Sequence, residues 1–321
     1  MTDLDLLKAY HDVEAASCAH DFVALPADGL EELQPLIEGH QPSGEHVTMW
    51  VGYDGAVPVA TLCLTLPLLD NLTSASLDVH VHPENRRRGH GREALAFGLE
   101  QIRAAGRSRV FLESPWTSDG DEGPAFGLLR SVGARPALVD VRRLLDLRDH
   151  PVGPPLHPPP GYRVVQWVDR APEEMLDGVA YLLHRMVLDA PMGEMDYEAE
   201  AWDAARYRSA EDSALRRHRT RLVTTVVHEE TGTVAGLTEM GKNAHRHDVA
   251  FQWTTIVDPE HRGRRLGMVL KSWNHQQLVA RVPDVRWVNT WNAAGNTFMI
   301  AVNEELGFSP AERWTEWQLD L

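Results

Sequence analysis

Hydrophobic and polar positions alternate along the chain in two similar series of predicted strands and helices. In the first series, Leu95, Leu99 and Ile102 recur at helical spacing within the longest predicted helix. Alternation of period two between turn-forming residues predicts the strands around it. The series predicted is strand, strand, strand, helix, strand, helix, strand, over residues 48–51, 58–65, 76–81, 88–105, 109–113, 124–132 and 137–145.

The second series repeats this order after an opening strand and two long helices. Its longest helix after the central strands places Leu266, Leu270 and Trp273 on one face. The predicted elements are a strand over 162–168, helices over 172–188 and 197–219, strands over 222–228, 233–240 and 249–257, a helix over 264–280, a strand over 285–290, a helix over 296–306 and a strand over 314–319. The first series has no equally clear opening strand and its early helices look shorter, so we predict that it is the reduced copy.

The two series have the spacing of a duplication. Arginine-glycine loops begin at Arg86 and Arg262, 176 residues apart, and the glycines that end the later helices, Gly133 and Gly307, are 174 residues apart. Between the series, six of the eleven residues 151–161 are proline, which neither a helix nor a central strand accepts. We therefore predict a domain over 1–150, a semi-rigid linker over 151–161 and a second domain over 162–321.

Composition and charge limit the classes of partner that we expect for this protein. Hydrophobic residues make up 43% and charged residues 24% of the 321, as in globular proteins, and the net charge of −16 disfavours nucleic acid and anionic membranes. The start of the sequence has no basic and apolar signal pattern, and no run of eighteen apolar residues occurs, so we expect a cytoplasmic protein. Cys18 and Cys63 are far apart and form no metal or redox motif.

Both arginine-glycine loops lie between a predicted strand and the start of a helix. Free N–H groups and partial positive charge at helix starts bind phosphate, and glycines let the backbone approach it closely. The first loop carries Arg86, Gly89 and Gly91, and the second carries Arg262 and Gly267. Neither loop has the Gly-Lys-Ser/Thr ending of a Walker loop or the third glycine of a dinucleotide fingerprint.

These loops resemble the coenzyme A signature Arg-x-x-Gly-x-Gly of the GNAT N-acyltransferase family. Arg86, Gly89 and Gly91 match it fully, whereas Arg265 replaces the middle glycine of the second loop. The stretch from Thr290 to Phe308 resembles a later motif of the family. The resemblance covers nearly the whole chain and extends to the tandem GNAT enzymes of actinobacteria, of which mycothiol synthase is one. It implies an α/β fold of two tandem GNAT-like domains, each a mixed, mainly antiparallel sheet flanked by helices.

The resemblance also implies acetyl-CoA as co-substrate and the residues that hold it. Backbone groups at a diverging strand bind the pantetheine and polarise the thioester carbonyl, and the loop binds the pyrophosphate. In the second half these residues are Ile256, Val257, Arg262, Gly263, Arg264, Arg265, Leu266, Gly267, Asn292 and Asn296. In the first half they are Val79, Val81, Arg86, Arg87, Arg88, Gly89, His90 and Gly91.

The candidates on the acceptor side are less sharply defined. Many family members place an acidic tyrosine where this chain has Asn303, or Leu129 in the first half, so water or another side chain must protonate the leaving thiolate. Glu239 is a candidate base or amine anchor, unless it faces solvent. Asp196 lies in an acidic loop that covers the acceptor in this fold, unless the loop is merely exposed. His80 and His82 have metal-binding spacing but no third ligand, and we expect no metal site.

The sequence therefore predicts transfer of an acetyl or other short acyl group from coenzyme A to the amine of a small molecule, by direct attack. We expect the second half to be catalytic and the first half to bind coenzyme A without turning it over. Two alternatives stay open: a donor thioester held on an acyl-carrier protein, and a non-catalytic coenzyme A-binding protein. The sequence leaves open whether the protein is a monomer or a homodimer.

Overall fold

A computed structural model of the protein describes residues 3–116 and 122–321. The chain forms two compact units, and each unit is made of more than one stretch of the sequence. Unit 1 consists of Met1–Asp140, Met192–Glu198 and Glu312–Leu321, and unit 2 of Val141–Pro191 and Ala199–Ala311. The C-terminal strand is therefore part of the unit built mainly from the N-terminal half.

Unit 1 is a sheet with strand order β1-β2-β3-β4-β11, in which β3 and β4 run parallel and the other neighbours run antiparallel. Its elements are α1 (Asp3–Asp21), α2 (Leu30–Ile37), β1 (Glu45–Asp54), β2 (Val57–Pro67), β3 (Ser74–Val81), α3 (His90–Ala104), β4 (Arg109–Trp116), α4 (Phe126–Ser131) and most of β11 (Ser309–Asp320). The strand β5 (Arg135–Asp146) begins in unit 1 and ends in unit 2.

The core of unit 1 lies between its sheet and α3. Leu95, Leu99 and Ile102, the predicted helix face, are buried against inward-facing strand residues such as Leu77 and against Trp317. Burial of such side chains contributes roughly 1.5–3 kcal/mol each. Because Trp317 belongs to β11, this core is incomplete without the end of the chain.

Unit 2 has the strand order β10-β9-β8-β7-β6, with the second half of β5 next to β10. Its elements are β6 (Tyr162–Val168), α5 (Leu176–Asp189), α6 (Ala204–Arg216), β7 (Arg219–His228), β8 (Val234–Asn243), β9 (Val249–Val257), α7 (Leu266–Arg281), β10 (Trp287–Ala293) and α8 (Thr297–Glu305). Every residue of β8 is buried, and Leu266 and Leu270 of α7 pack against Val226 and Ala235. The mixed α/β class predicted from the sequence is confirmed.

Two predictions about the opening helices differ from the structure. The prediction that the early helices of the first half are shorter is wrong for the first of them, since α1 has 19 residues and α5 has 14, and right for the second, since α2 has 8 and α6 has 13. The helix predicted over 197–219 begins only at Ala204, where the Asp203 side chain accepts a hydrogen bond from the Arg206 N–H at 2.7 Å.

The segment before that helix joins unit 1 instead of extending the helix. Its Glu194 N–H donates to the Ala137 carbonyl at 2.8 Å, and its Asp196 N–H donates to Gln318 Oε1 at 2.9 Å. Because these two N–H groups already have partners in unit 1, they are not available for hydrogen bonds within a helix. The segment therefore does not extend α6, although its acidic residues are compatible with a helix.

The proline-rich segment 151–161 forms no helix or strand and belongs to unit 2. The Leu156 N–H donates to Ser272 Oγ at 3.0 Å, and Trp273 Nε1 donates to the Leu156 carbonyl at 2.9 Å. Side chains of α7 thus satisfy backbone groups of a segment that cannot pair with a strand. Among the described helices, none is long and apolar enough to cross a membrane.

Candidate functional site

In each unit two parallel strands pair briefly and then diverge. In unit 2, β9 and β10 pair at residues 249–251 and 287–289, and in unit 1, β3 and β4 pair at residues 74–76 and 109–111. Beyond these points the strands no longer satisfy each other's N–H and C=O groups. Divergence therefore leaves backbone donors and acceptors for a ligand that enters between the strands.

A cavity of about 630 Å³ lies at the divergence of unit 2. This volume is within the range of small-molecule and cofactor sites. Its wall is largely apolar with a few polar groups, and it is formed by Met186, Asp189, Ala190, Trp253, Thr255, Ile256, Val257, Arg262, Gly263, Arg265, Leu266, Gly267, Met268, Lys271, Thr290, Trp291, Asn292, Asn296, Phe298, Met299, Ala301, Val302 and Glu305.

The two arginine-glycine loops have the same backbone conformation. In unit 2, Gly263 and Arg265 have positive φ angles of 77° and 56°, and in unit 1, Arg87 and Gly89 have 63° and 100°. Each loop thus places left-handed residues at the same two positions and has one glycine and one arginine there. Arg265 preserves the turn that Gly89 makes, at a cost of about 1–2 kcal/mol relative to glycine. The departure from the sequence motif does not alter the loop.

The second loop fits the pyrophosphate of an acyl-CoA. A Cβ atom added at Gly263 or Gly267 would meet no protein atom within 4 Å, so the space in front of the loop is open. The helix α7 starts at Leu266, and the first N–H groups of a helix have no partner inside it. Backbone donors, the helix dipole and open space are the requirements of an anion site.

The first arginine of each loop ties the loop to a helix end. In unit 1, Arg86 Nε donates to the Val81 carbonyl at 3.1 Å, and its Nη atoms donate to Asp21, the last residue of α1, at 2.7 Å. Burial would raise the pKa of Asp21, but Arg86 and His20 outweigh burial and lower it. Arg86 therefore positions the loop, a role that the sequence motif alone does not reveal.

Unit 2 repeats this clamp. Arg262 Nε donates to the Val257 carbonyl at 3.1 Å, and Nη2 donates to Asp189, the last residue of α5, at 2.9 Å. Hydrogen bonds from Arg185, with Arg262 beside it, hold the pKa of Asp189 below its usual value. The same contact in both units is a further sign of duplication.

Among the other residues predicted to hold the donor in unit 2, Ile256, Val257, Asn292 and Asn296 line the cavity. Asn296 also caps α8, since its Oδ1 accepts from the Met299 N–H at 3.1 Å. Arg264 Nη1 donates to the Glu260 carbonyl at 3.0 Å, and Arg265 pairs with Glu305.

In unit 1 the predicted donor-binding residues are more dispersed. Val79 and Val81 pack against the hydrophobic core, and a Cβ atom at Gly91 would lie 3.5 Å from Val81. His90 begins α3 and lines a separate cavity of about 260 Å³ between that helix and the first two strands. Arg88 lies in the exposed part of the loop.

Two of the predicted catalytic residues are not brought to the cavity. Glu239 is buried and accepts a hydrogen bond from Arg221 Nε at 2.5 Å, and it is not among the described residues of the cavity wall. Asp196 belongs to unit 1, where its carboxylate lies 2.5 Å from Arg109 Nη2. The third, Asn303, is fully buried and reaches the cavity only through its hydrogen-bond partners.

Sequence reasoning missed Lys271, a buried lysine of α7 that lines the cavity. Its Nζ donates to Asn303 Oδ1 at 2.5 Å, and Asn303 Nδ2 donates to Asn292 Oδ1 at 2.5 Å. Burial lowers the pKa of Lys271 to about 7. The signal in the sequence was a group of polar residues about one turn apart on a helix, Lys271, Asn274 and His275.

The cavity of unit 2 holds no cysteine nucleophile, because both cysteines of the sequence belong to unit 1. Burial raises the pKa of Cys18 and of Cys63 to about 12. Both are therefore neutral thiols near pH 7, and the thiolate is the reactive form.

His80, one of the two histidines with metal-binding spacing, forms a hydrogen bond with a serine. The His80 ring lies 3.3 Å from Ser17 Oγ in a hydrogen bond. In residues 3–116 and 122–321, no group of three or more histidine, cysteine or acidic side chains could hold a metal ion.

Comparison with known proteins gives a family for part of the chain and a fold for all of it. The model of the acetyltransferase (GNAT) family matches residues 187–308. A tandem GNAT protein from the clavulanic acid biosynthesis pathway, solved without acetyl-CoA, has a TM-score of 0.83 and 29% identity, over 99% of this chain and 96% of its own. No curated protein matches the sequence.

Two more distant solved structures share the fold. A GCN5-related N-acetyltransferase from Sphaerobacter thermophilus has a TM-score of 0.65 and 19% identity, over 97% of this chain and 91% of its own. A putative acetyltransferase from Pyrococcus horikoshii has a TM-score of 0.60 and 14% identity, over 100% of this chain and 88% of its own.

Proposed function

We propose that unit 2 transfers an acyl group from an acyl-CoA to an amine, because residues 187–308 match the model of the acetyltransferase (GNAT) family and the chain has the fold of a tandem GNAT protein. The acyl group is acetyl or another short chain, and the acceptor is a small molecule. One observation carries this proposal: the 630 Å³ cavity lies where β9 and β10 diverge and reaches the open loop at the start of α7.

The loop and the strand end divide the binding of the donor between them. The backbone of Gly263 to Gly267 and the start of α7 would hold the pyrophosphate. Backbone groups of Ile256 and Val257 would hold the pantetheine arm and stabilise negative charge on the thioester oxygen. The donor supplies an activated acyl carbon and a thiolate leaving group.

Proton movement falls to Lys271 in this proposal. The acceptor nitrogen forms its bond to the acyl carbon as the carbon–sulfur bond breaks, the nitrogen loses one proton, and the sulfur gains one. Lys271 lines the cavity, and its ammonium group would deliver the proton to the sulfur. The neutral amine of Lys271 so formed would take up the proton that the acceptor nitrogen releases, which restores the ammonium group. Lys271 thus takes the place of the family tyrosine, which is Asn303 here. A group with a pKa near the working pH is suited to this task.

The test has a binding step and a turnover step. Calorimetric titration of the full chain with acetyl-CoA should give saturable binding, and a thiol-release assay over a panel of small amines should identify turnover. Gly267→Asp adds a carboxylate in front of the loop, where the added atom meets no protein, and should weaken binding at least about tenfold.

Gly127→Asp is the matched control, because Gly127 also has open space around it and lies on an exposed helix surface of unit 1. Absence of acetyl-CoA binding in the unmodified protein, at concentrations up to millimolar, would refute the proposal that acyl-CoA itself is the donor. Tight binding of acetyl-CoA with no thiol release for any amine would refute the proposal that the protein transfers the acyl group.

A further inference from the structure

Where the strands of unit 1 diverge, carboxylates occupy the places that indoles occupy in unit 2. Trp253 and Trp291 each lie two residues beyond the last paired residues of β9 and β10, and both line the cavity. In unit 1, Asp78 and Glu113 lie two residues beyond the last paired residues of β3 and β4. The corresponding cleft of unit 1 therefore differs in charge from the cavity of unit 2.

A third strand places another carboxylate on the same face. Glu316 of β11 is the register partner of Glu113. The neighbours of these acidic residues, Leu77, Leu112 and Trp317, all point into the core against α3, so the carboxylates point to the opposite face of the sheet. On that face α1 packs against β2 and β3.

Like charges directly opposite each other destabilise a sheet. Glu113 and Glu316 nonetheless share a hydrogen bond between their carboxyl groups. Burial raises the pKa of both, helped by the charge of Asp78 at Glu113 and by the charge of Glu113 at Glu316. Asp140 lies close enough to act on both charges, and burial raises its own pKa to about 6. Three carboxyl groups from three strands thus face one space.

From the helix side, Glu14 of α1 closes this space. Its Oε2 atom is buried and has no hydrogen-bond partner among the described residues. Burial, followed by the charges of Asp28 and Asp78, raises the pKa of Glu14 to about 8, and burial raises that of Asp78 to about 6. The charge of Asp78 acts on Glu14, so the two carboxyl groups lie near each other, where α1 packs against β3.

We call the space lined by these carboxyl groups the acidic cleft; its residues are Glu14, Asp78, Glu113, Asp140 and Glu316. No lysine or arginine among the described residues acts on their charges. The other titratable groups that face Glu14 are Tyr10, Cys18, Asp28 and Cys63. Although the surrounding protein raises the pKa values of the cleft residues, Asp78 and Glu113 keep exposed surface and the other three side chains are partly buried, so a ligand can reach this space. The buried Oε2 atom of Glu14 has no partner among the described residues, and an unpaired buried carboxylate costs free energy that a bound cation would offset.

A single metal ion does not supply that cation, because no three of the described acidic groups converge closely enough to hold one. The carboxylates are instead spread over α1, β3, β4, β11 and β5. We propose that the acidic cleft of unit 1 binds a linear aliphatic diamine or polyamine, whose separated ammonium groups pair with Glu14 and Asp78 at one side and with the Glu113–Glu316 pair at the other.

Binding is measured without an acyl donor, so the result does not depend on whether unit 2 transfers acyl groups. The full chain is titrated calorimetrically at pH 8 with spermidine and with 1,4-diaminobutane, against butylamine as a monocation. We expect one site per chain, with the two multivalent amines bound at least about tenfold more tightly than butylamine.

Glu14→Gln and Asp78→Asn keep the shape of each side chain and remove its charge. Each should weaken spermidine binding about tenfold or more, while raising the melting temperature of the ligand-free protein at pH 8. Glu100→Gln, on the exposed face of α3, is the matched control and should change neither. A merely structural role of the two carboxylates would give lower stability and unchanged binding, which would overturn the proposal.

A second measurement uses the unmodified protein alone. Spermidine should raise its melting temperature at pH 8, and Mg²⁺ at equal charge concentration should not. Affinity should fall as the pH drops from 8 to 6, because protonation removes the charges of Glu14 and then Asp78. Equal stabilisation by Mg²⁺, or affinity independent of pH in this range, would each overturn the proposal.

Discussion

At the scale of single residues, the chemistry that we propose for unit 2 rests on Lys271 and Asn303, which are buried, and on the half-buried Asn292. Lysine is rarely buried without an acidic partner, because desolvation disfavours its charge. Here Asn303 accepts the hydrogen bond of Lys271 without supplying a counter-charge, so the pKa stays near 7. An amide where the family has tyrosine thus leaves lysine as the titrating group.

Replacing Lys271 by methionine removes the proton donor and retains much of the volume. We expect kcat to fall about 10²–10³-fold in the thiol-release assay, with little change in acetyl-CoA affinity. The decline of kcat above pH 7 that belongs to deprotonation of Lys271 should also disappear. Lys8→Met, at an exposed position of α1, is the control. A variant that keeps both its rate and its descending limb would exclude Lys271 from the proton transfer.

Lys271 should also leave a signature in stability. Its folded pKa is about 7 and its usual value is 10.5, so the unfolded chain binds more protons between these values. Folding is therefore penalised fully below pH 7, and the penalty disappears as pH rises toward 10. Lys271→Met should raise the melting temperature more at pH 6 than at pH 10, as measured by calorimetry. The opposite order would mean that Lys271 is charged and paired in the folded protein.

Asn303→Asp keeps the shape of the side chain and places a carboxylate against Lys271. An adjacent negative charge stabilises the ammonium form, so the descending limb of the pH profile should move to higher pH. The measurement is kcat as a function of pH, beside Asn85→Asp, the same change in unit 1, as a control. An unchanged limb would show that another group titrates.

At the scale of elements, a β-bulge shapes the cavity of unit 2. Thr238 pairs with Thr255 but Met240 pairs with Gln252, so two residues of β9, Trp253 and Thr254, oppose one residue of β8. The matching strands β2 and β3 of unit 1 pair without a shift. Bulges re-aim side chains, and this one accompanies an indole that lines the cavity.

Gly241 is the residue that admits this indole. A Cβ atom at Gly241 would lie 1.9 Å from the Trp253 ring, so Gly241→Ala must displace the ring. Because Trp253 lines the cavity, we expect KM for the acceptor to rise about tenfold. Gly52→Ala in β1, where the added atom makes ordinary contact at 3.5 Å, is the control.

The displacement itself is tested by a double substitution. In a Trp253→Ala background, Gly241→Ala should cause no further loss, since the group with which it collides is gone. Additive losses would mean that the alanine acts through the backbone of β8 instead.

At the scale of the whole molecule, the two units share a loop and a clamp but differ at the cleft. Arg86–Asp21 and Arg262–Asp189 are equivalent contacts, and both loops place two left-handed residues at the same positions. The residues two positions beyond the last paired ones are acidic in unit 1 and aromatic in unit 2. Duplication thus kept the loop and its clamp and changed the side chains at the cleft.

Paired substitutions distinguish the roles of the two units. Gly267→Asp should abolish thiol release, whereas Gly91→Asp, in the first loop, should remove at most a second acetyl-CoA from the calorimetric stoichiometry and leave turnover within about twofold. The added Cβ at Gly91 makes only ordinary contacts, so folding should be preserved. Loss of turnover in Gly91→Asp alone would place catalysis in unit 1.

The sequence by itself determined the order of the elements, the duplication and both loops. Local periodicity and turn chemistry fix these features, since each depends on residues close together in the chain. Tertiary structure alone decided which distant residues meet: the assignment of 312–321 to unit 1, the pairing of Glu239 with Arg221, and the contact of Lys271 with Asn303. Charge and desolvation act through space, so neither the pKa of Lys271 nor the acidic cleft could be read from residue spacing.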